Sequence, residues 1–542
     1  MKRLIAGALA LLLLVLPCLF FTGCSFGDKG YRVSYDIAAR PQNLDPQTAA
    51  ESAALLIIHS IFEGLYTISA DGTPEPALAA GCSISADGLR YTITLREDAS
   101  WAYEDASGKT DPRPVTAADF VFAFRRLLRP DTNSVGADRY FCIKNAAAVH
   151  EGALPENQLG VTAQGERQIL FELESPNEEF LSLLSSSYAM PCNEDFFNET
   201  RGKYGLDPST VMANGPFELT GWSDTSVRLN KNAYYYGAEE VLPDGVTLPI
   251  QNGDGASSLE RLNEGNVHAA LLDGRYLANL RGKGFNTEAI RNTTWGLYLN
   301  QRNLNLANGN IRTAIRYAFD RSAYASSLPE NLAVADGLIP PDVSLFGKSY
   351  RDFAGEAPSQ QFDAARAYEA YKSGLDELNT RNITGLRLLV NKDAGIDAAE
   401  YFRAVSQVLQ RELSLFINVD EVDGEEYEKR IRTGDFDLAV YRVQASDNTP
   451  WPVLSCFLSA SSSNYAGYYN PEVDKLLTGA ASRKSGAEAL ADYAAAEKLI
   501  LEDAVFIPMF YGTDYFVTAS NVTGVTYNRQ TGLVDFRAAV VS

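Results

Sequence analysis

Only one stretch of this chain is apolar enough to leave water, and it lies at the very start. Lys2-Arg3 precede an apolar run from Leu4 to Phe21, which ends in Thr22-Gly23-Cys24-Ser25. Two cations, a short apolar core and small residues at the cut form an export signal, removed from the mature chain. A run of about 18 apolar residues could also span a bilayer, but Pro17 and the Gly-Cys ending argue for cleavage. No second run approaches that length, so the body after Cys24 is expected to fold in water, outside the cytoplasm.

At 542 residues the chain exceeds one ordinary core, and two or three domains are expected. Hydrophobic residues make up 46%, and 28 Tyr and 26 Phe are enough to fill cores and line a pocket. The formal net charge is -22, and removing Lys2 and Arg3 with the signal takes the mature body to -24. Such acidity argues against nucleic acid as a partner and against a broad contact with anionic lipid.

Of the six Cys, Cys18 leaves with the signal, and Cys82, Cys142, Cys192 and Cys456 remain in the body. They could pair in three ways or stay as buried thiols, and none has the two-residue spacing of a zinc site. The three His, at 59, 150 and 268, lie far apart, which leaves a histidine metal centre or a Ser-His-Asp engine poorly supplied. No metal, cofactor or catalytic residue is expected. Gly108-Lys109-Thr110 looks like the end of a phosphate-binding loop, but the Gly required five residues earlier is Tyr103.

Local patterns alternate between strand and helix. Tyr31 to Ile37 alternates as a strand, and residues 51–65 read as an apolar helix ending at Glu63-Gly64-Leu65. Asp87-Gly88 reads as a hairpin turn before Arg90 to Leu95. Thr116 caps a helix, with Asp119 three residues on as a capping-box variant. Further strands are expected at 168–173, on both sides of Trp222-Ser223-Asp224, and at 292–300, 435–441 and 505–519. Helices are expected at 311–326, 401–413 and 487–501, and a Pro-bounded loop at 444–452. The class is α/β or α+β with more than one lobe, without a repeat of fixed period.

Thr22-Gly23-Cys24 resembles the lipobox of bacterial lipoproteins, which implies that Cys24 is lipidated and that Ser25 to Gly30 is a tether. The body, from about 31 to 540, resembles the oligopeptide-type extracytoplasmic solute-binding proteins of ABC importers, solute-binding protein family 5. The resemblance rests on an ordered set: Asn43-Leu44-Asp45-Pro46, Ile61-Phe62-Glu63-Gly64-Leu65, Asp87-Gly88-Leu89-Arg90-Tyr91-Thr92, and Pro114-Val115-Thr116-Ala117-Ala118-Asp119-Phe120. It continues with Asn214-Gly215-Pro216-Phe217, Lys231-Asn232, Ala318-Phe319-Asp320-Arg321, Tyr469-Asn470-Pro471, and Ala496-Glu497-Lys498 through Ile507-Pro508. Most of these are read as scaffold, with Gly64, Gly88 and Gly215 in turns and Asp320 paired to Arg321.

The resemblance implies an α/β fold, a two-lobed periplasmic-binding-protein flytrap (type II, large cluster) with an extra third domain. Residues 1–23 would be the signal and 24–30 the tether. Lobe I would comprise 31–62, 192–293 and 513–542, the extra domain 63–191, and lobe II 294–512. It further implies a monomer, lipid-anchored on the outer face of the bacterial cell membrane. That monomer would capture oligopeptides between its lobes and deliver them to ABC permease subunits. Siblings on the same fold take nickel, haem, opines or oligosaccharides, or act as sensors uncoupled from transport.

The family clamps extended peptides through main-chain hydrogen bonds. The matching stretches are Glu51-Ser52-Ala53 on one lobe and Arg442-Val443-Gln444 on the other, with Trp295, Tyr298 and Trp451 as candidate pocket walls. In relatives an Asp after the second stretch meets the peptide ammonium. Here that position is Ser446, and Asp447 stands one place later, before Asn448. A one-residue slip in an extended segment turns a side chain to the other face. Either the loop bends to restore Asp447, or a free ammonium is not held there. On the first alternative, Asp447→Asn weakens free-amino peptides more than acetylated ones. Gly136 also stands where relatives often have an aromatic.

Overall fold

The computed structural model describes residues 30–104, 110–251, 255–345, 348–355, 361–394, 399–445, 448–481 and 486–542. Cys24, the Gly108-Lys109 pair and the Ser446-Asp447 step therefore lie outside the described residues. In chain order the strands of the main sheets are β1 (Arg32–Ser34), β2 (Ala79–Ile84), β3 (Arg90–Leu95), β4 (Val161–Ala163), β5 (Gln168–Glu172), β6 (Phe217–Trp222), β7 (Ser226–Lys231) and β8 (Gly245–Pro249). They continue with β9 (Ala269–Leu272), β10 (Asn286–Leu299), β11 (Leu332–Val334), β12 (Leu386–Asn391), β13 (Ile417–Val422), β14 (Leu438–Gln444) and β15 (Phe506–Thr518). The helices that matter most are α1 (Ser52–Ile61), α2 (Ala117–Leu128), α3 (Gly309–Ala318), α4 (Ala399–Leu413) and α5 (Gly486–Glu502).

Two four-stranded sheets, β1-β8-β7-β6 and β2-β3-β5-β4, share one unbroken apolar cluster with α1 and α2. The alternation of β3 becomes alternating burial, with Tyr91, Ile93 and Leu95 inside. A buried ion pair bolts the two sheets' surroundings together: Arg126 of α2 meets Asp45 at 2.6 Å and donates to Gln47 at 2.7 Å. Asp119 takes the Thr116 N–H at 2.8 Å, as the capping box requires. Thr110 opens a strand, Thr110–Pro114, and not the helix that a phosphate loop demands.

The third sheet has seven strands, β9-β15-β10-β14-β12-β13 with β11 on the β15 edge. Separate apolar clusters cover its two faces, so the inner half of β10 is buried on both sides. β10 and β15 pair in two stretches, 286–290 with 514–518 and 293–298 with 506–512, and the register breaks between Ile290 and Thr293. The first stretch adjoins β9, whose Ala269 bridges Tyr35 beside β1. The second adjoins β14 and β11. One pair of strands thus crosses from one body to the other and breaks its register in between, the arrangement of a hinge.

Several local expectations need correction. The helix expected over 311–326 is α3, Gly309–Ala318, because Asn308 caps it by accepting from Asn310 N–H and Ile311 N–H. It stops early because Arg321 is drawn to the Pro508 carbonyl at 2.6 Å, while Asp320 turns to Ser322 and caps the next turn. Asp320 and Arg321 therefore form no ion pair among the described residues. β14 starts three residues later than expected, since Asp437 is spent on Arg387 N–H and Asn303 at the strand entrance. A short helix, Pro450–Leu454, occupies the expected loop. Of the three glycines read as turns, Gly88 has a left-handed φ of 69°. Gly215 is instead a close approach, where a Cβ would stand 2.8 Å from the Ile61 carbonyl carbon. Cys82, Cys142, Cys192 and Cys456 are free thiols.

Replacing Asn308 by Ala is expected to lower stability by about 1 kcal/mol, the ordinary value of a helix cap. A denaturant midpoint equal to wild type would show that the α3 N-terminus does not depend on that side chain.

Candidate ligand-binding site

A small recess, with room for about one water molecule, is lined by Asp273, Thr293, Trp295, Asn331, Leu332, Arg442, Gly512, Thr513 and Asp514. The seven-stranded sheet explains why these residues converge. Its register sets Trp295 of β10 opposite Arg442 of β14, and Thr293 opposite both Gln444 and Gly512. Leu332 of β11 lies opposite Gly512 on the other side. The Arg442 guanidinium carbon stands 5.8 Å from the Trp295 ring centre. At Gly512 a Cβ would sit 3.1 Å from the indole Nε1, so the absent side chain makes the space the indole faces.

The carboxylates come from the hinge. Asp273 follows β9 and caps a single turn, accepting from Arg275 N–H at 3.0 Å. Gly274 then passes so close to β15 that a Cβ there would meet the Thr513 carbonyl at 2.0 Å. Asp514 accepts from the Gly274 N–H; burial, with Asp273 adding to it and Arg442 opposing, pushes its carboxyl up to about 6.

The residues singled out from sequence divide into three groups. Trp295, Arg442 and Gln444 stand together on adjacent strands beside the recess. Tyr298, expected as a pocket wall, is 1% exposed and packs among Phe436, Tyr441, Phe457 and Phe506. Strand alternation sends it to the opposite face from Trp295's neighbours in the recess. Val443 also turns its side chain into that core, and Trp451 packs half-buried against it. Asn448 is buried in a left-handed conformation, φ 57°, and donates to the Asp342 carbonyl at 2.9 Å. It therefore holds the 342–344 segment. That segment meets the C-terminal part of the chain through Arg529 with Asp342 and Ser344 with Gln530.

Glu51, Ser52 and Ala53 form the start of α1 on the other body, with Glu51 and Ser52 exposed, and no described contact joins them to Trp295 or Arg442. Gly136 leaves no room for an aromatic side chain, because a Cβ would meet the Tyr188 ring at 2.5 Å. Asp273, Gly512 and Asp514 were not anticipated. Their signal was present in the sequence: Gly512-Thr513-Asp514 interrupts an otherwise apolar run between Phe506 and Val517.

Comparison with known proteins decides the family. The model of the bacterial extracellular solute-binding proteins, family 5, matches residues 73–465. The chain belongs to this family. The oligopeptide-binding protein OppA of Bacillus subtilis (strain 168) is 26% identical over 552 residues, covering 97% of this chain and 98% of that protein. The dipeptide-binding protein DppE of the same organism is 25% identical, covering 92% and 90%. Among solved structures, the peptide-binding pheromone receptor PrgZ superposes with a TM-score of 0.76 at 27% identity, covering 94% of this chain and all (100%) of that one. The substrate-binding domain of an oligopeptide ABC transporter from Bacillus anthracis str. Ames gives 0.74 at 26%, covering 94% and 99%. The family 5 chain has the two-lobed periplasmic-binding fold of these structures. Its relatives are binding proteins, not enzymes. No helix among the described residues is long and apolar enough to cross a membrane.

Proposed function

We propose that this family 5 protein is a tethered receptor that captures short peptides between its lobes and delivers them to the permease subunits of an ABC importer. The observation that carries the peptide reading is an open strand edge. The Ala445 N–H donates to the Asn292 carbonyl, which fixes the parity of the β10–β14 ladder. Arg442 and Gln444 therefore turn their backbone N–H and C=O groups to the opposite edge of β14. There β12 pairs only with Leu438 and Ala439. An extended peptide added to Tyr441–Gln444 would be recognised by its main chain and tolerated whatever its side chains. Glu51–Ala53 would close on it from the other lobe.

The same reading assigns 31–62, 192–293 and 513–542 to lobe I, 63–191 to the extra domain and 294–512 to lobe II. Cys24 would carry the lipid that holds a monomer on the outer face of the cell membrane. Native mass spectrometry of the protein purified from a bacterial host, followed by denaturation, tests the ligand class. A released mixture of short peptides of varied sequence is expected. A single non-peptide mass would move the function to a different solute.

A further inference from the structure

The tip of a C-terminal hairpin reaches across the lobe division drawn above. Its strands, Thr526–Asn528 and Leu533–Asp535, pair antiparallel, and Arg529 and Gln530 stand in the turn between them. The turn is built to keep its place. The Asn528 carboxamide accepts from the Gln530 N–H at 2.8 Å and donates to the Ile68 carbonyl at 2.7 Å, which ties it to the extra domain. The Tyr527 ring packs on Phe516 of β15, with centres 5.6 Å apart. Glu288 of β10, in the same lobe, accepts from Arg529 Nε at 2.6 Å and aims the guanidinium.

What the turn meets belongs to the other lobe. Arg529 Nη1 lies 3.7 Å from an Asp342 carboxylate oxygen, and Ser344 Oγ donates to Gln530 Oε1. Asp342 and Ser344 are fixed from behind. Asn448 donates to the Asp342 carbonyl and accepts from the Ser344 N–H, each at 2.9 Å, and Val343 between them is buried in that lobe's core. Asp342 also takes the Arg291 guanidinium at 2.8 Å, beside the register break of β10. The series Glu288–Arg529–Asp342–Arg291 therefore runs alongside the pivot, while the hairpin tip lies on neither of the strands that cross. Because the tip and the 342–344 segment are each anchored in their own lobe, rotation of one lobe against the other has to part them.

We propose that the Arg529–Gln530 turn is a latch that holds the lobes in the conformation described here without help from a ligand. It rests on the lobe division above and not on what the lobes hold. A contact made in only one of two states shifts their balance by its own free energy. The Arg529–Asp342 pair is half exposed and adds little at high salt. The Ser344–Gln530 bond, against the buried Ser344, carries more. Asn448 joins the latch to the end of β14, so a peptide on that strand's edge and the latch act on one equilibrium.

Small-angle X-ray scattering of the unliganded protein tests this, since the radius of gyration reads the open fraction. Ser344→Ala and Gln530→Ala should each raise the open-to-closed ratio about fivefold, the ordinary value of one hydrogen bond. The double variant should open no further than either single one, because both remove the same bond. Raising the salt from about 0.1 M to about 1 M shortens the screening length from about 10 Å to about 3 Å, and should open wild type more than Arg529→Gln. Variants with the wild-type radius overturn the latch. So do additive effects of the two alanines, which would mark separate structural defects, and a salt response equal in wild type and Arg529→Gln. Native mass spectrometry of the same proteins with randomised tetrapeptides tests the peptide reading separately. Retained peptides leave that reading standing even where the latch fails, and none retained removes it whatever the scattering shows.

Discussion

Glu497→Ala is expected to destabilise the protein by about 3–5 kcal/mol, the range for removing one partner of a buried charge pair. Glu497 lies on α5 and is 2% exposed. One of its oxygens accepts from Leu338 N–H at 2.9 Å, Ile339 N–H at 3.0 Å and Arg351 at 2.8 Å, and the other from the Tyr350 hydroxyl at 2.9 Å. The truncation strands two backbone donors and a guanidinium at once, and each neutral donor alone costs about 1–3 kcal/mol when left buried. Glu497→Gln should lose less, because its carbonyl can serve the three N–H donors and the tyrosine hydroxyl can turn to accept. The denaturant midpoints of the two variants decide the matter. A loss below about 1 kcal/mol for alanine would mean that water replaces the carboxylate. The segment pinned by Glu497 leads to Asp342, which ion-pairs with Arg291 at the hinge, so the alanine variant should also bind ligand less tightly.

Much of the scaffold was legible because its motifs are the places where distant segments are tied. Asp45 in Asn43-Leu44-Asp45-Pro46 is the acid that Arg126 needs, and Asn214 holds both backbone groups of Glu63. Asn232 takes the Gly215 carbonyl, and Glu497 does what has just been described. Each is a buried polar group whose hydrogen-bond partners leave it few substitutes. Element ends were less legible. α3 stops at Ala318 because of a bond from Arg321 to Pro508, nearly two hundred residues away, and no local pattern contains that bond.

The candidate site was legible only where it borrows strand chemistry. Arg442 and Gln444 were located through the family resemblance, which matches 442–444 to a stretch that holds peptide by its main chain, and the strand found there has the geometry such pairing needs. Tyr298 packs in the core because it lies three positions along β10 from Trp295, an odd step that turns it to the other face of the sheet. Asp273 and Asp514 sit at a register break between two sheets' worth of pairing. Asp514 interrupts an apolar run, but nothing in either segment says that the two acids meet, and their proximity is a property of the crossing strands alone.

That distinction between main chain and side chain leads to the second large effect. Peptides N-methylated at the two amides that would pair with Arg442 and Gln444 are expected to bind at least about thirtyfold more weakly than their parents. Each methyl removes one donor and leaves a β14 carbonyl without a partner in a closed cleft, at about 1–3 kcal/mol apiece. Two such losses amount to at least about 2 kcal/mol, and about 1.4 kcal/mol corresponds to tenfold in affinity. Exchanging Ala, Ser and Val side chains at the same positions should change affinity only a few-fold, since main-chain pairing carries no side-chain information. Moving the methyl groups one residue along places them on amides that point away from the edge, and binding should recover. Calorimetric titration of the three peptide series separates these outcomes. Equal tolerance of both methylation patterns would show that the open edge of β14 is not where the ligand lies.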